Sequence, residues 1–244
     1  MSTTTYLITG SSRSLGLGYT RQLLSTSPSV RVVAAVRDPS NASQLDPVKK
    51  EYGDRLFVVK CDVTDSKSTQ EAAKTLESSG FLGSNGLDVV IANAGVAGGG
   101  GKSATQFTDE DLHYNLSTNL YGVINTVNAF LPFLRQGQKK QIFVTSSWIG
   151  SLKHSTSSMA TAYAISKTAV NMYSLKLARE LAEDGFTVIP FHPGYVKTDM
   201  NASHGGGDIT TEEASKLASD NVFLAIKKED NGKFINYDGK EIPW

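Results

Sequence analysis

Tyr163 and Lys167 stand four residues apart in Tyr163-Ala164-Ile165-Ser166-Lys167. On a helix that spacing sets one side chain above the other on a single face. An ammonium held beside a phenol favours the phenolate and lowers its pKa from about 10. A phenol tuned in that way can exchange a proton with a substrate oxygen near neutral pH. The chain has nine tyrosines, so the pair alone is a weak signal. Ser146-Ser147 closes an apolar run upstream, and a glycine-rich turn lies near residue 10. Serine, tyrosine and lysine together describe chemistry at a carbonyl, with hydroxyls to hold the oxygen and a phenol to protonate it.

The elements that must position these residues alternate. Apolar runs of strand length fall at 5–9, 31–36, 56–60, 87–92, 141–146, 187–192 and 233–235. Most are continuous rather than alternating, as expected of strands covered on both faces. Helical patterns fall between them at 15–27, 66–79, 109–136, 161–184 and 211–227. Thr108-Asp109-Glu110-Asp111 and Thr210-Thr211-Glu212-Glu213 look like capped helix starts. Alternating strands and helices predict an α/β fold with a doubly wound parallel sheet of about seven strands and right-handed crossovers. No repeat or linker divides the chain, so one domain is expected over 1–244. Glycines at 98–101 and 205–207 mark two permissive loops.

The turn from Thr9-Gly10-Ser11-Ser12-Arg13-Ser14 to Leu15-Gly16-Leu17-Gly18 follows the first strand and opens the first helix. Glycine there lets the backbone turn tightly beside a pyrophosphate, which a helix N-terminus attracts. The second strand ends in Arg37, where an acid would bind a ribose 2′-hydroxyl and an arginine suits a 2′-phosphate. Asp38 reads as a turn residue ahead of Pro39. Arg13 can reach the same phosphate, so NADP(H) is the expected cofactor. Cys61-Asp62-Val63 ends the third strand. Asp62 is either an acceptor for the adenine amino group or the cap of the next helix. Asn93-Ala94-Gly95 ends the fourth, at the sheet edge where ligands bind. Asn93 reads equally well as a bridge between strands.

In this order the motifs resemble the short-chain dehydrogenase/reductase family over essentially the whole chain: the Thr-Gly turn, Asp62-Val63, Asn93-Ala94-Gly95, Asn119, Ser147, Tyr163 with Lys167, and Pro193-Gly194. The segment from Pro193 through Met200 and the ending Tyr237-Asp238-Gly239-Lys240 look like one branch. That branch holds sniffer-type carbonyl reductases, C-factor-like proteins and fungal ketoreductases related to norsolorinic acid ketoreductase. The resemblance implies NADPH-dependent reduction of a ketone or aldehyde. Tyr163 is then the acid/base, and Lys167 bonds the nicotinamide ribose. Ser147 orients the carbonyl, and Asn119 supports a water chain to Lys167. Pro193, Gly194, Val196 and Thr198 hold the nicotinamide end. Gly10, Ser12, Arg13, Ser14, Leu15, Gly16, Arg37, Asp62, Val63, Asn93, Ala94 and Gly95 hold the rest of the cofactor. The family also implies a homodimer or homotetramer.

Two positions depart from the family pattern. Ser14 stands where its glycine-rich turn has a middle glycine, so a Cβ either crowds the pyrophosphate or brings a hydrogen-bond donor. His192 precedes Pro193 where asparagine is common, and it reads as a hydrogen-bonded strand-end residue. The stretch between Ser147 and Tyr163 is long, which suggests a larger wall beside the substrate. Trp148, His154 and Tyr195 are the expected substrate contacts, with Val96, Ala97, Leu152 and Met159 around them. Residues 200–210 are expected to form a lid.

Composition narrows the function classes. Lys+Arg and Asp+Glu each number 24, which argues against nucleic acid or an anionic membrane as a partner. Cys61 is the only cysteine, so a reducing compartment fits. No apolar run reaches about 18 residues, and the N-terminus lacks a signal-type stretch, so the expected place is the cytoplasm. His113, His154, His192 and His204 lack metal-ligand spacing, and no metal is expected. Two other readings compete. A non-catalytic NADP-binding redox sensor would not need the Ser, Tyr, Lys and Asn set. An epimerase or dehydratase would need a larger substrate domain.

Overall fold

The computed structural model describes residues 3–200 and 206–244. Its strands are β1 (Thr4–Thr9), β2 (Val30–Val36), β3 (Leu56–Lys60), β4 (Val89–Ala92), β5 (Gln141–Thr145), β6 (Thr187–His192) and β7 (Ile235–Asn236). They form one sheet in the order β3-β2-β1-β4-β5-β6-β7, and every pairing is parallel. The chain thus winds outward from β1 in one direction and from β4 in the other. The expected α/β doubly wound fold is the one that forms.

Alternation along each strand feeds two cores. Leu7, Val33, Ala35 and Val90 point to one face, where they meet α3 (Ser66–Ser78), α5 (Gly122–Gln136) and α6 (Thr161–Glu180). Tyr6, Ile8, Val32, Ala34 and Val36 point to the other, against α1 (Ser14–Thr26), α2 (Asp46–Tyr52) and α7 (Thr211–Ala218). Apolar residues on both faces explain why the strands read as continuous runs.

The helix boundaries differ from the expected ones in instructive ways. The predicted helix over 109–136 is three pieces: α4 (Asp109–Leu116), a π turn at Ser117–Tyr121, and α5. The predicted helix over 211–227 is α7 followed by a second π turn at Ser219–Phe223. A π turn inserts a residue without altering the apolar pattern much, so periodicity does not reveal it. Helix α2 escapes a sequence reading because it has seven residues and buries only Val48. The last strand is shifted from 233–235 to Ile235–Asn236. Both expected caps form. Thr108 and Asp111 make a capping box, and the Thr210 hydroxyl accepts from Glu213 N at 3.1 Å. Among the described residues no helix is long and apolar enough to cross a membrane.

Candidate active site

Chain order reverses between β1 and β4, and a ligand crevice opens beyond the carboxyl ends of strands at such a point. The turn after β1 and the turn after β4 meet there. Thr9 Oγ1 accepts from the backbone N–H of Asn93 and of Ala94, at 3.0 and 3.1 Å. Asn93 Nδ2 donates to Thr9 O at 2.9 Å. Asn93 is therefore a bridge between strands, the second of its two sequence readings. Gly16 packs against the same turn. A Cβ on it would lie 2.2 Å from Gly10 O, so only glycine allows helix α1 to start this close to β1. Ser14, at the family's middle-glycine position, has φ +50, in the left-handed region that glycine tolerates best. The departure thus strains the backbone, whatever contacts its side chain makes with a pyrophosphate.

Beyond β2 and β3, Arg37, Asp38, Lys60, Asp62, Asp65, Ser68 and Glu71 line a cavity of about 540 Å3. Asp38 is a turn residue: its carboxylate accepts from Ser40 N and Oγ and from Asn41 Nδ2. Those bonds, the Ser40 hydroxyl first, hold its pKa below the usual carboxylate value. The helix cap considered for Asp62 belongs to Asp65, which accepts from Lys67 N at 2.9 Å. Asp62 instead accepts from Thr64 N and Oγ1, and Val63 beside it is buried. Arg13 does not line this cavity. It pairs with Asp199 at 3.3 Å, with both side chains exposed.

On the other side of the crevice, the Ser147 loop and helix α6 come together. The Ser147 hydroxyl stands near enough to the Tyr163 phenol to pull its pKa down. Gly150 makes this packing possible, because a Cβ there would lie 2.9 Å from the backbone carbon of Lys167. Gly150 O then accepts from Thr168 Oγ1 and Asn171 Nδ2. The buried Ser146 hydroxyl donates to Asn171 Oδ1 at 2.5 Å, so the neighbouring serine is structural.

Lys167 is 3 % exposed. Its Nζ donates to Thr145 O at 2.8 Å and lies 5.6 Å from the Tyr163 ring centroid. Burial pushes the Tyr163 phenol up to about 12, against a smaller downward pull from Ser147. Burial also lowers Lys167 to about 8. The i,i+4 spacing predicts an acidified phenol, and the polypeptide does the reverse. Desolvation disfavours both charged forms.

Asn119 occupies the π turn and is fully engaged. Its Oδ1 accepts from Val96 N, and its Nδ2 donates to Val96 O and Ser166 Oγ, each at 2.9 Å. Ser166 Oγ in turn donates to Tyr163 O. Asn119 thus ties the loop after Gly95 to the Tyr163 turn of α6. Ser166 escaped the sequence reading, and its only signal was its place between Tyr163 and Lys167.

Trp148 and His154 stack with centroids 4.1 Å apart and 25° between planes. This wall is braced by Ser151, whose Oγ donates to Pro243 O and accepts from His154 N. His192 lies behind it, 6.4 Å from the Trp148 ring, with a buried Nδ1 that has no hydrogen-bond partner. Burial, then the charge of Lys167, lowers its pKa to about 4. The hydrogen-bonded histidine expected from sequence is therefore not what forms at this nitrogen.

Gly194 and Pro193 are buried after β6, and Val196 pairs with Ile209. Asp208 N and Ile209 N return to Tyr195 O, so the described flank of the expected lid is pinned to the 195–197 strip. The rest of that lid, residues 201–205, lies outside the described residues.

The short chain dehydrogenase sequence pattern matches residues 4–207. The chain belongs to the short-chain dehydrogenase family. A short chain dehydrogenase of Penicillium aethiopicum, gsfK, is 36% identical to this short-chain dehydrogenase over 257 residues, covering 98% of this chain and 99% of its own. NADPH-bound carbonyl reductase from chicken fatty liver superposes with a TM-score of 0.88 at 29% identity, over 100% of both chains. Carbonyl reductase Sniffer of Drosophila melanogaster gives 0.90 at 26%, over 99% of this chain and 100% of its own.

Proposed function

We propose that this short-chain dehydrogenase reduces a ketone or aldehyde with NADPH. The observation that carries the reading is the buried Lys167 ammonium, anchored on Thr145 O and 5.6 Å from the Tyr163 ring, with Ser147 near the same phenol. Family membership and the likeness to an NADPH-bound carbonyl reductase support it. The residues present fit the cofactor. Gly10, Ser12, Ser14, Leu15 and Gly16 surround the start of α1, where a pyrophosphate is favoured. Arg37 stands at the far cavity. Asn93 and Ala94 hold the crevice floor, and Gly95, Pro193, Gly194, Val196 and Thr198 flank its inner end. When bound, NADPH supplies a hydride to the carbonyl carbon.

The side chains act on the oxygen. Ser147 and Tyr163 donate hydrogen bonds to it, and such donors contribute most where charge develops. Tyr163 Oη then gives its proton to the forming alkoxide. A phenol near 12 is fully protonated at neutral pH and is still a far stronger acid than an alcohol. That state favours the reductive direction. Lys167 Nζ, near 8, holds a proton that can restore the phenol. Asn119 keeps the Val96 loop and the Tyr163 turn in register rather than contacting substrate. Trp148, His154 and Tyr195 flank the substrate side. The test is NADPH oxidation against aromatic ketones, diketones, quinones and aldehydes, beside the Tyr163→Phe variant. Turnover of none of them, or equal turnover by the variant, would exclude this reading.

A further inference from the structure

The cavity beyond β2 and β3 has an unusual balance of charge. Two cations, Arg37 and Lys60, share it with four carboxylates, those of Asp38, Asp62, Asp65 and Glu71. Among the described residues neither cation has a salt-bridge partner. Three of the carboxylates are turned to donors of their own loops. Asp38 holds Ser40 and Asn41, Asp62 holds Thr64, and Asp65 caps α3. Lys60 faces Asp38 only at longer range, adding slightly to the lowering of its pKa, so neither cation is held in a close ion pair.

Their placement follows from strand register. Lys60 is the last residue of β3 and pairs with Val36, the last residue of β2, while Cys61 N donates to Val36 O at 2.7 Å. Parallel pairing therefore delivers Lys60 beside the start of the Arg37 turn, although 23 residues separate them in the chain. Arg13, the second cation suggested by the sequence, is occupied by Asp199 and lines another region.

We propose that Lys60 is the second anchor of the cofactor's 2′-phosphate, acting with Arg37. A single guanidinium among four carboxylates is a poor site for a dianion, because each carboxylate repels the phosphate. A second cation in the same cavity offsets that repulsion. The ammonium adds a point charge, and the guanidinium adds a planar fork of donors. Lys60 is then a specificity-determining residue: it strengthens binding of the phosphorylated ribose and does little for the unphosphorylated one. This inference rests on the NADPH reading above.

The test uses cofactor fragments, so no turnover is needed. Affinities for 2′,5′-ADP and 5′-AMP are measured by calorimetry on the full chain and on Lys60→Gln, Lys60→Arg and Arg37→Ala. Wild type should prefer 2′,5′-ADP. Lys60→Gln should weaken 2′,5′-ADP roughly tenfold, the scale of one charge-assisted hydrogen bond, and 5′-AMP less than about twofold. Lys60→Arg should keep most of the preference. The preference should also shrink as salt rises. If wild type prefers 2′,5′-ADP and Lys60→Gln leaves that preference intact, the role of Lys60 is overturned while the NADPH reading stands. Equal weakening of both fragments would mark Lys60 as structural and also overturn it. No preference in wild type would remove the NADPH reading and Lys60's role with it.

Discussion

Tyr163 is a phenol kept protonated by burial, not a phenolate drawn out by its lysine. The general-acid role proposed for it rests on the single hydroxyl, which phenylalanine lacks while keeping the ring. Tyr163→Phe should lower turnover by roughly 10²-fold or more, the scale of a lost general acid, with NADPH binding retained by fluorescence titration. Residual turnover above about a tenth of wild type would exclude the role. His192 carries a different prediction. Its folded pKa, near 4, lies below the ordinary value of 6.5, so the unfolded chain binds the proton first on acidification. Stability from this residue is therefore complete above pH 6.5 and falls between 6.5 and 4. Comparing urea unfolding at pH 7 and pH 5, wild type should lose ~2 kcal/mol more than His192→Asn. An identical loss in both would mean that the imidazole titrates normally.

Elements decide how near these residues come to one another. The Ser147 loop reaches α6 only because Gly150 presents no side chain to the Lys167 backbone. Gly150→Ala should destabilise the protein by about 1–3 kcal/mol, the range for overpacking. It should also depress kcat by moving Ser147 away from Tyr163, with cofactor affinity little changed. Loss of cofactor affinity in step with kcat would point to general misfolding instead. At the opposite lip, Ser14 starts α1 in the left-handed region. Relieving about 1–2 kcal/mol of strain, less roughly 0.5–1 for glycine's looser unfolded chain, Ser14→Gly should stabilise by about 0.5–1 kcal/mol. A chemical denaturation midpoint that falls would refute this. The alternation of strand and helix was legible because each strand is a continuous apolar run. The π turn that carries Asn119 was not, since one inserted residue leaves the helical pattern almost unchanged.

At the scale of the molecule, a ligand that binds only the folded chain adds to its stability by mass action. At a concentration 100 times its Kd, NADPH should raise unfolding free energy by about 2.7 kcal/mol. NADH at that concentration should give about 1.4 kcal/mol less if one phosphate bond confers a tenfold preference. Arg37→Ala should close most of that gap, and steady-state kcat/KM with the two cofactors should show the same ratio. Equal stabilisation by both cofactors in wild type would mean that the end of β2 does not read the 2′-phosphate.

Sequence alone determined what depends on local pattern. Apolar runs marked a doubly wound sheet, glycine spacing marked the turn after β1, and the Ser147, Tyr163, Lys167 and Asn119 motifs marked the family. Tertiary structure decided what depends on neighbours distant in the chain. Burial, which no spacing reports, reversed the expected shift at Tyr163. Strand register set Lys60 beside Arg37, and the β6 loop set Asp199 beside Arg13. Asn93 became a bridge because Thr9 lies one strand away. Electrostatic and hydrogen-bond partners are fixed by distances in space, and a parallel sheet brings together residues that a linear reading keeps far apart.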